Sequence, residues 1–110
     1  MEDKFKALGN EVRLRMYRAL REETLCVCEI NQLLEMSQSA VSQHLSRLEQ
    51  ADLLESKRVG QWTFYQPAQN SFQDTIDELF EQAPAEMLRD LEQIKSKNLC
   101  GLRDENGNLP

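Results

Sequence analysis

Ser37-Gln38-Ser39-Ala40-Val41-Ser42-Gln43-His44-Leu45-Ser46-Arg47-Leu48-Glu49-Gln50 is the stretch on which the fold turns. Val41, Leu45 and Leu48 recur at helical spacing and predict one buried face. The same spacing turns Gln38, Ser39, Ser42, Gln43 and Ser46 outward together. Serine is a middling helix former, so the serines at 37, 39, 42 and 46 are not there for helix propensity. A helix surface that meets only solvent more often carries Glu and Lys. A small polar face instead suits DNA, since Gln pairs bidentately with adenine and Ser bonds phosphates or base edges. The plainer reading is a serine-rich exposed helix without a partner.

Working outward, residues 27–35 predict a preceding helix, with Val27, Ile30, Leu33 and Leu34 on its inner face. Met36-Ser37 is a short turn, and together the three pieces have the dimensions of a helix-turn-helix. Downstream, Leu53–Val59 and Gln61–Gln66 flank Gly60, and the second contains the strand-favouring run Trp-Thr-Phe-Tyr. A hairpin here makes the arrangement a winged helix-turn-helix, mainly α with a small β-hairpin. Lys57, Arg58 and Gln61 on that wing, with Arg47 on the recognition helix, complete the candidate DNA-binding set. Two basic residues in a hairpin are otherwise ordinary solvated charges. His44, the one histidine, either touches a phosphate or packs at the core margin with one nitrogen bonded. A single histidine excludes a multi-histidine zinc site.

The rest of the chain reads as helix. Residues 3–9 carry Phe5 and Leu8 and stop at Gly9, and residues 10–22 follow an Asn10 N-cap with Val12, Met16 and Leu20 inward. From Ser71 to about Lys97, two apolar stripes (Phe72, Ile76, Leu79 and Phe80; Met87, Leu88, Leu91 and Ile94) are separated by Pro84, which must kink the helix or begin a new one. The stripe from Phe72 to Phe80 exceeds what a 110-residue core easily hides, so a homodimer through the first and last helices is expected. Residues 103–110 are almost devoid of apolar side chains and read as a disordered tail, leaving 1–102 as one DNA-binding and dimerisation domain.

A net charge of −6 is unusual for a DNA-binding chain. Its distribution resolves this: residues 1–36 carry net −1, residues 37–67 net 0, and residues 68–110 net −5. The acid lies away from the expected contact face, at the cost of weak non-specific affinity. There is no apolar run long enough for a membrane span, and Met1–Lys6 is charged, unlike a secretory signal. The expected setting is cytoplasmic, where thiols stay reduced, so three cysteines point to metal binding or redox chemistry instead of a disulfide framework.

Two of those thiols, Cys26 and Cys28, stand just upstream of the recognition helix. On a regular helix, residues two apart point about 200° from one another and cannot share a small ion. Cys26, however, falls at an N-cap place, with Glu29 at the capping-box position. With Cys26 just outside the helix and Cys28 in its first turn, the sulfurs can converge, and convergence should distort that turn. Free amides favour thiolates there, while Glu22, Glu23 and Glu29 oppose them. Thiolates suit soft, thiophilic species and not magnesium or calcium. The alternative is that both are small buried apolar residues.

Leu25-Cys26-Val27-Cys28-Glu29-Ile30 resembles the thiol motif of arsenic-responsive ArsR/SmtB repressors. Ser37 through Leu45 is similar to that family's recognition helix, and Gly60 through Tyr65 to its wing, the likeness covering roughly residues 3–95. The resemblance implies a homodimer formed by the first and last helices, operator binding in the apo form, and release by trivalent arsenic or antimony. Where the family often has a third cysteine, this chain has Asn31, and where a basic wing residue is common it has Gln61. Cys100 is the remaining thiol, and it folds back, reaches across a dimer or does nothing. The last helix lacks the histidine and acid pattern of the family's zinc sensors. A redox or persulfide sensor and a cadmium or lead sensor stay open within the class. A cytosolic thiol enzyme would want Cys-x-x-Cys beside a βαβ unit, which the chain does not offer.

Overall fold

The structure is a computed structural model and describes residues 2–80 and 83–110. Its helices are α1 (Glu2–Leu8), α2 (Glu11–Glu22), α3 (Val27–Leu34), α4 (Gln38–Gln50), α5 (Ser71–Leu79) and α6 (Ala85–Lys97). Its strands are β1 (Leu25–Cys26), β2 (Leu54–Val59) and β3 (Trp62–Pro67). Helix starts follow local chemistry. Asn10 Oδ1 accepts from the Val12 and Arg13 amides, Ser37 Oγ from Ala40 N–H, and Asn70 Oδ1 from Phe72 N–H. Glu35 ends α3 in the left-handed conformation, and its N–H reaches Asn31 O. Of the two outcomes read at Pro84, a new helix is the one found: α5 stops at Leu79 and α6 begins after Pro84. Residues 81–82, between the two, lie outside the described residues.

The expected hairpin is real but belongs to a larger sheet. β1 pairs antiparallel with β3, giving the order β1-β3-β2. The register sets Cys26 opposite Phe64 and Leu25 opposite Tyr65, while across the hairpin Phe64 faces Lys57 and Trp62 faces Val59. Side chains alternate between sheet faces, so this register sorts the residues into two sets. Leu25, Leu54 and Tyr65 turn to the helical core, whose centre is Met16, Tyr17, Leu20, Ile30, Val41, Leu45 and Leu48. Cys26, Val59, Trp62 and Phe64 turn the other way, where Cys100, Leu102 and Leu109 cover them.

That second layer takes in part of the segment read from the sequence as a tail. Residues 103–110 are laid against the domain, and the Arg103 side chain is wholly inaccessible to solvent. Arg103 finds a buried carboxylate, Glu29, on α3, and Leu109 packs on the apolar face of the sheet. The apolar stripe of the last helices is also corrected in part. Phe72 and Ile76 are buried within the chain itself, and Phe80 packs on Tyr17 beneath Arg18 and Arg21. Arg21 also pairs with Asp77, tying α2 to α5. Phe5 and Leu79 are the large apolar side chains left exposed among the described residues.

Leu45 is 1% exposed at the centre of the core. Leu45→Ala should therefore cost about 2–5 kcal/mol of stability, the loss expected from truncating a closely packed leucine. A urea titration checks this through the midpoint at constant slope.

Candidate nucleic-acid interface and thiol site

The α3–turn–α4 unit presents the face expected of it. Val41, Leu45 and Leu48 are buried, whereas Gln38, Ser39, Ser42, Gln43, Ser46 and Arg47 are all exposed. On the wing, Lys57, Arg58 and Gln61 are exposed as well. The nine residues thus lie on two neighbouring surfaces, the outer side of α4 and the tip of the β2–β3 hairpin. Gly60, in the turn between the strands, has φ +63°, a conformation that L side chains rarely adopt. His44 is half-buried, and its Nδ1 lies 3.4 Å from Arg13 Nη1. Desolvation lowers its pKa below the ordinary value, and Arg13 and Arg47 lower it further. His44 thus sits at the core margin with Arg13 beside one ring nitrogen.

The thiol site is built at the start of α3. Cys26 is the N-cap, and Glu29 Oε1 accepts its N–H at 3.1 Å, completing the capping box read from the spacing. What spacing did not show is that Cys26 also ends a strand, which buries it against Phe64 and Cys100. Cys100 lies in the 98–103 turn beyond α6. Asn98 closes that turn, its Oδ1 accepting from Arg103 N–H at 3.0 Å and its Nδ2 donating to Arg103 O at 3.1 Å. Of the three thiols, Cys26 and Cys100 are buried and Cys28 is exposed. Cys100 thus folds back within its own chain. Among the described residues, no three His, Cys, Asp or Glu side chains are gathered as a ready metal site. The soft donor set suits a thiophilic ligand, but bringing Cys28 to the other two sulfurs requires the first turn of α3 to move.

Burial decides the thiol electrostatics. Desolvation pushes the Cys26 pKa up to about 12, outweighing the Glu29 amide, and the Glu29 carboxylate, Cys100 and Cys28 raise it further. Cys26 is thus a neutral thiol near pH 7, and a metal or metalloid must displace its proton. Asn31, where the family's third thiol would fall, holds a buried Oδ1 without a hydrogen-bond partner.

Arg103 is the site residue that the sequence did not reveal. Its guanidinium donates to Glu29 Oε2 at 2.8 Å and Oε1 at 2.9 Å, to Thr24 O at 2.7 Å and to Gly107 O at 2.8 Å. Glu23 stands 3.5 Å away and also accepts from Lys95 of α6 at 2.9 Å. An acid at the third helical position with no local cation was the available signal.

Comparison with known proteins places this arrangement in a class. Residues 10–56 match the family described as "Bacterial regulatory protein, arsR family". The chain is similar to the "Arsenic resistance transcriptional regulator ArsR2" of Pseudomonas putida, 35% identical over 104 residues covering 90% of this chain and 88% of that protein. It also matches the same organism's "Arsenic resistance transcriptional regulator ArsR1" at 45% identity over 62 residues, 56% of this chain and 48% of that protein. Alignments to the first curated relatives thus span about half to two thirds of their length. Among solved structures, reduced HlyU from Vibrio cholerae superposes with a TM-score of 0.62 at 36% identity, over 68% of this chain and 79% of that one. A homodimeric winged helix-turn-helix domain from Mycobacterium bovis, described as a possible ArsR-family regulator, superposes with a TM-score of 0.61 at 26% identity, over 76% and 83%. The fold is that of a winged helix-turn-helix regulator. The chain belongs to the arsR family of bacterial regulatory proteins.

The Cys26 pKa sets a pH dependence. A thiol raised from its ordinary 9.0 to about 12 by folding favours the native state below about pH 9, and that contribution is lost as pH rises toward 12. Tyr17 and Tyr65, also raised chiefly by burial, act in the same direction. Stability should fall between these limits, and Cys26→Ser should remove part of the fall, measured by urea titrations across the alkaline range.

Proposed function

We propose that this chain is a transcriptional repressor. It binds operator DNA as a homodimer in its apo form and lets go when trivalent arsenic or antimony is held by Cys26, Cys28 and Cys100. The observation that carries this reading is Cys26, the N-cap of α3, packed against Cys100, with Cys28 two residues on in the first turn and the exposed Ser and Gln face of α4 in the next helix. The names of its relatives, which concern arsenic resistance, support the same ligand class. Trivalent arsenic, when bound, offers up to three soft bonds to sulfur.

The rest is work for the chain's own groups. Cys26 and Cys100 are together already, and each must give up a proton. Cys28 has to leave solvent, which unwinds the first turn of α3 and shifts α3 against α4. Gln43 and Ser42 read base edges while Lys57 and Arg58 neutralise phosphates. A second copy, docked in the manner of the homodimeric relative, sets two α4 helices about one DNA turn apart. Phe5 and Leu79, exposed on α1 and α5, support that contact.

Gln43→Ala should weaken specific binding by about 1–3 kcal/mol and relax base choice. Arg58→Ala should weaken all sequences alike and lower the salt slope by about one. Titrations of specific and scrambled duplexes across salt concentrations separate these roles.

The switch is tested by mobility of an operator duplex with and without arsenite. A thousandfold loss of affinity needs about 4 kcal/mol of preference for the DNA-free form. Cys26→Ser with Cys28→Ser should keep DNA binding, since Ser is a good cap, yet ignore arsenite. Release from that double variant would sink the reading.

A second reading rests on the packing of Cys26 against Cys100. Peroxide could take two electrons and two protons from this pair, forming a disulfide and two waters. Release by peroxide and not by arsenite, lost in Cys100→Ser and kept in Cys28→Ser, would favour it. Cadmium or lead as inducer is separated in the same assay.

A further inference from the structure

We propose that Arg103 is a positioning residue of the thiol site. Locked to Glu29, it fixes Cys100 against Cys26 within one protomer, so that the third sulfur comes from the same chain and not from its dimer partner. The ligand part of this inference rests on the arsenic reading above. The positioning part stands on geometry alone.

Glu29 is wholly inaccessible to solvent and serves two clients. Its Oε1 accepts the Cys26 N–H at 3.1 Å and an Arg103 N–H at 2.9 Å, while its Oε2 accepts a second Arg103 N–H at 2.8 Å. One carboxylate therefore fixes the backbone of the first cysteine and the side chain of a residue three places after the last. Thr24 O and Gly107 O hold the remaining face of the guanidinium, so the fork has one orientation. Between them, the turn from Asn98 to Arg103 is closed on itself by the two Asn98 side-chain bonds. With both ends fixed, Cys100 has little freedom but to lie on Cys26 and Phe64, where it is 8% exposed. Leu102 and Leu109 cover the same patch. Nothing apolar in this short segment equals the ion pair as an anchor. Without Arg103 the segment should lift, and Cys100 with it.

The test is brief N-ethylmaleimide labelling of the full-length protein near pH 7, with each cysteine read by peptide mass spectrometry. In the wild type Cys28 should label quickly while Cys26 and Cys100 lag. In Arg103→Ala, Cys100 labelling should quicken by at least about tenfold. Because removing one partner of a buried pair can unfold the chain, the neutral double variant Glu29→Gln, Arg103→Gln is run beside it. Gln at position 29 retains the capping-box geometry, and Cys100 should quicken there also, with the far-ultraviolet dichroism unchanged. Cys100 labelling at the same rate in the wild type and in both variants would overturn the proposal.

The ligand arm compares arsenite, which takes three thiols, with phenylarsine oxide, which takes two. Arg103→Ala should weaken arsenite about tenfold and leave phenylarsine oxide unmoved, as befits a lost tethered ligand. In a Cys100→Ser background, Arg103→Ala should change neither. Equal weakening in both backgrounds would mean that Arg103 acts only through general stability, and the positioning role fails. Should the wild type not bind arsenite while labelling follows the expected pattern, the arsenic reading falls and the positioning role stands.

Discussion

The carboxylate of Glu29 is the constraint on which this structure depends. It lies buried where a helix begins, a strand ends and the chain terminus returns. Isolated, such a charge would cost several kcal/mol to bury. Here both oxygens meet donors, Cys26 N–H on one side and the Arg103 fork on the other. Removing one member of such a pair usually costs about 3–5 kcal/mol, because the other is left buried without a partner. That dependence explains why so polar a segment as 103–110 is held at all.

A consequence is that the small sheet is covered on both sides. Wings of this kind are antiparallel ribbons, which commonly keep one face in water. In this chain the helical core covers Leu25, Leu54 and Tyr65, and the returning segment covers Cys26, Val59, Trp62 and Phe64. Desolvation on that second side makes Cys26 a weak acid, against the pull of the helix amides that would otherwise favour its thiolate. The chemistry of the thiol thus follows from a cover assembled some 74 residues away along the chain.

Much of this was legible beforehand, for local reasons. The α4 stripe, the Asn10 and Cys26 caps, and the Trp62–Gln66 run all express interactions between near neighbours. What was hidden is long-range. β1 has two residues, too short for an alternating pattern, and its partner lies far downstream in β3. Arg103 reads as one more charge in a polar tail until Glu29 is placed beside it. The stripe of Phe72 and Ile76 was expected at a dimer contact; within this chain both join the core, with Phe5 of α1 set edge-on to Phe72 at 5.6 Å. Of the candidate DNA contacts, exposure was foreseeable from periodicity, whereas the lowered pKa of His44 comes first from burial and then from Arg13, which approaches from another helix.

The pairing register carries one more implication. Cys26, Phe64 and Lys57 are successive partners across the three strands, forming one rung of the ladder. Adjacent strands lie about 4.8 Å apart, so the cysteine backbone and the wing lysine are separated by only about 10 Å of hydrogen-bonded sheet. A rung of this kind behaves as a stiff crossbar: its ends cannot be displaced independently without breaking ladder bonds. The cap of α3 and the outer strand of the wing are therefore joined by one row of ladder partners, with Phe64 between them.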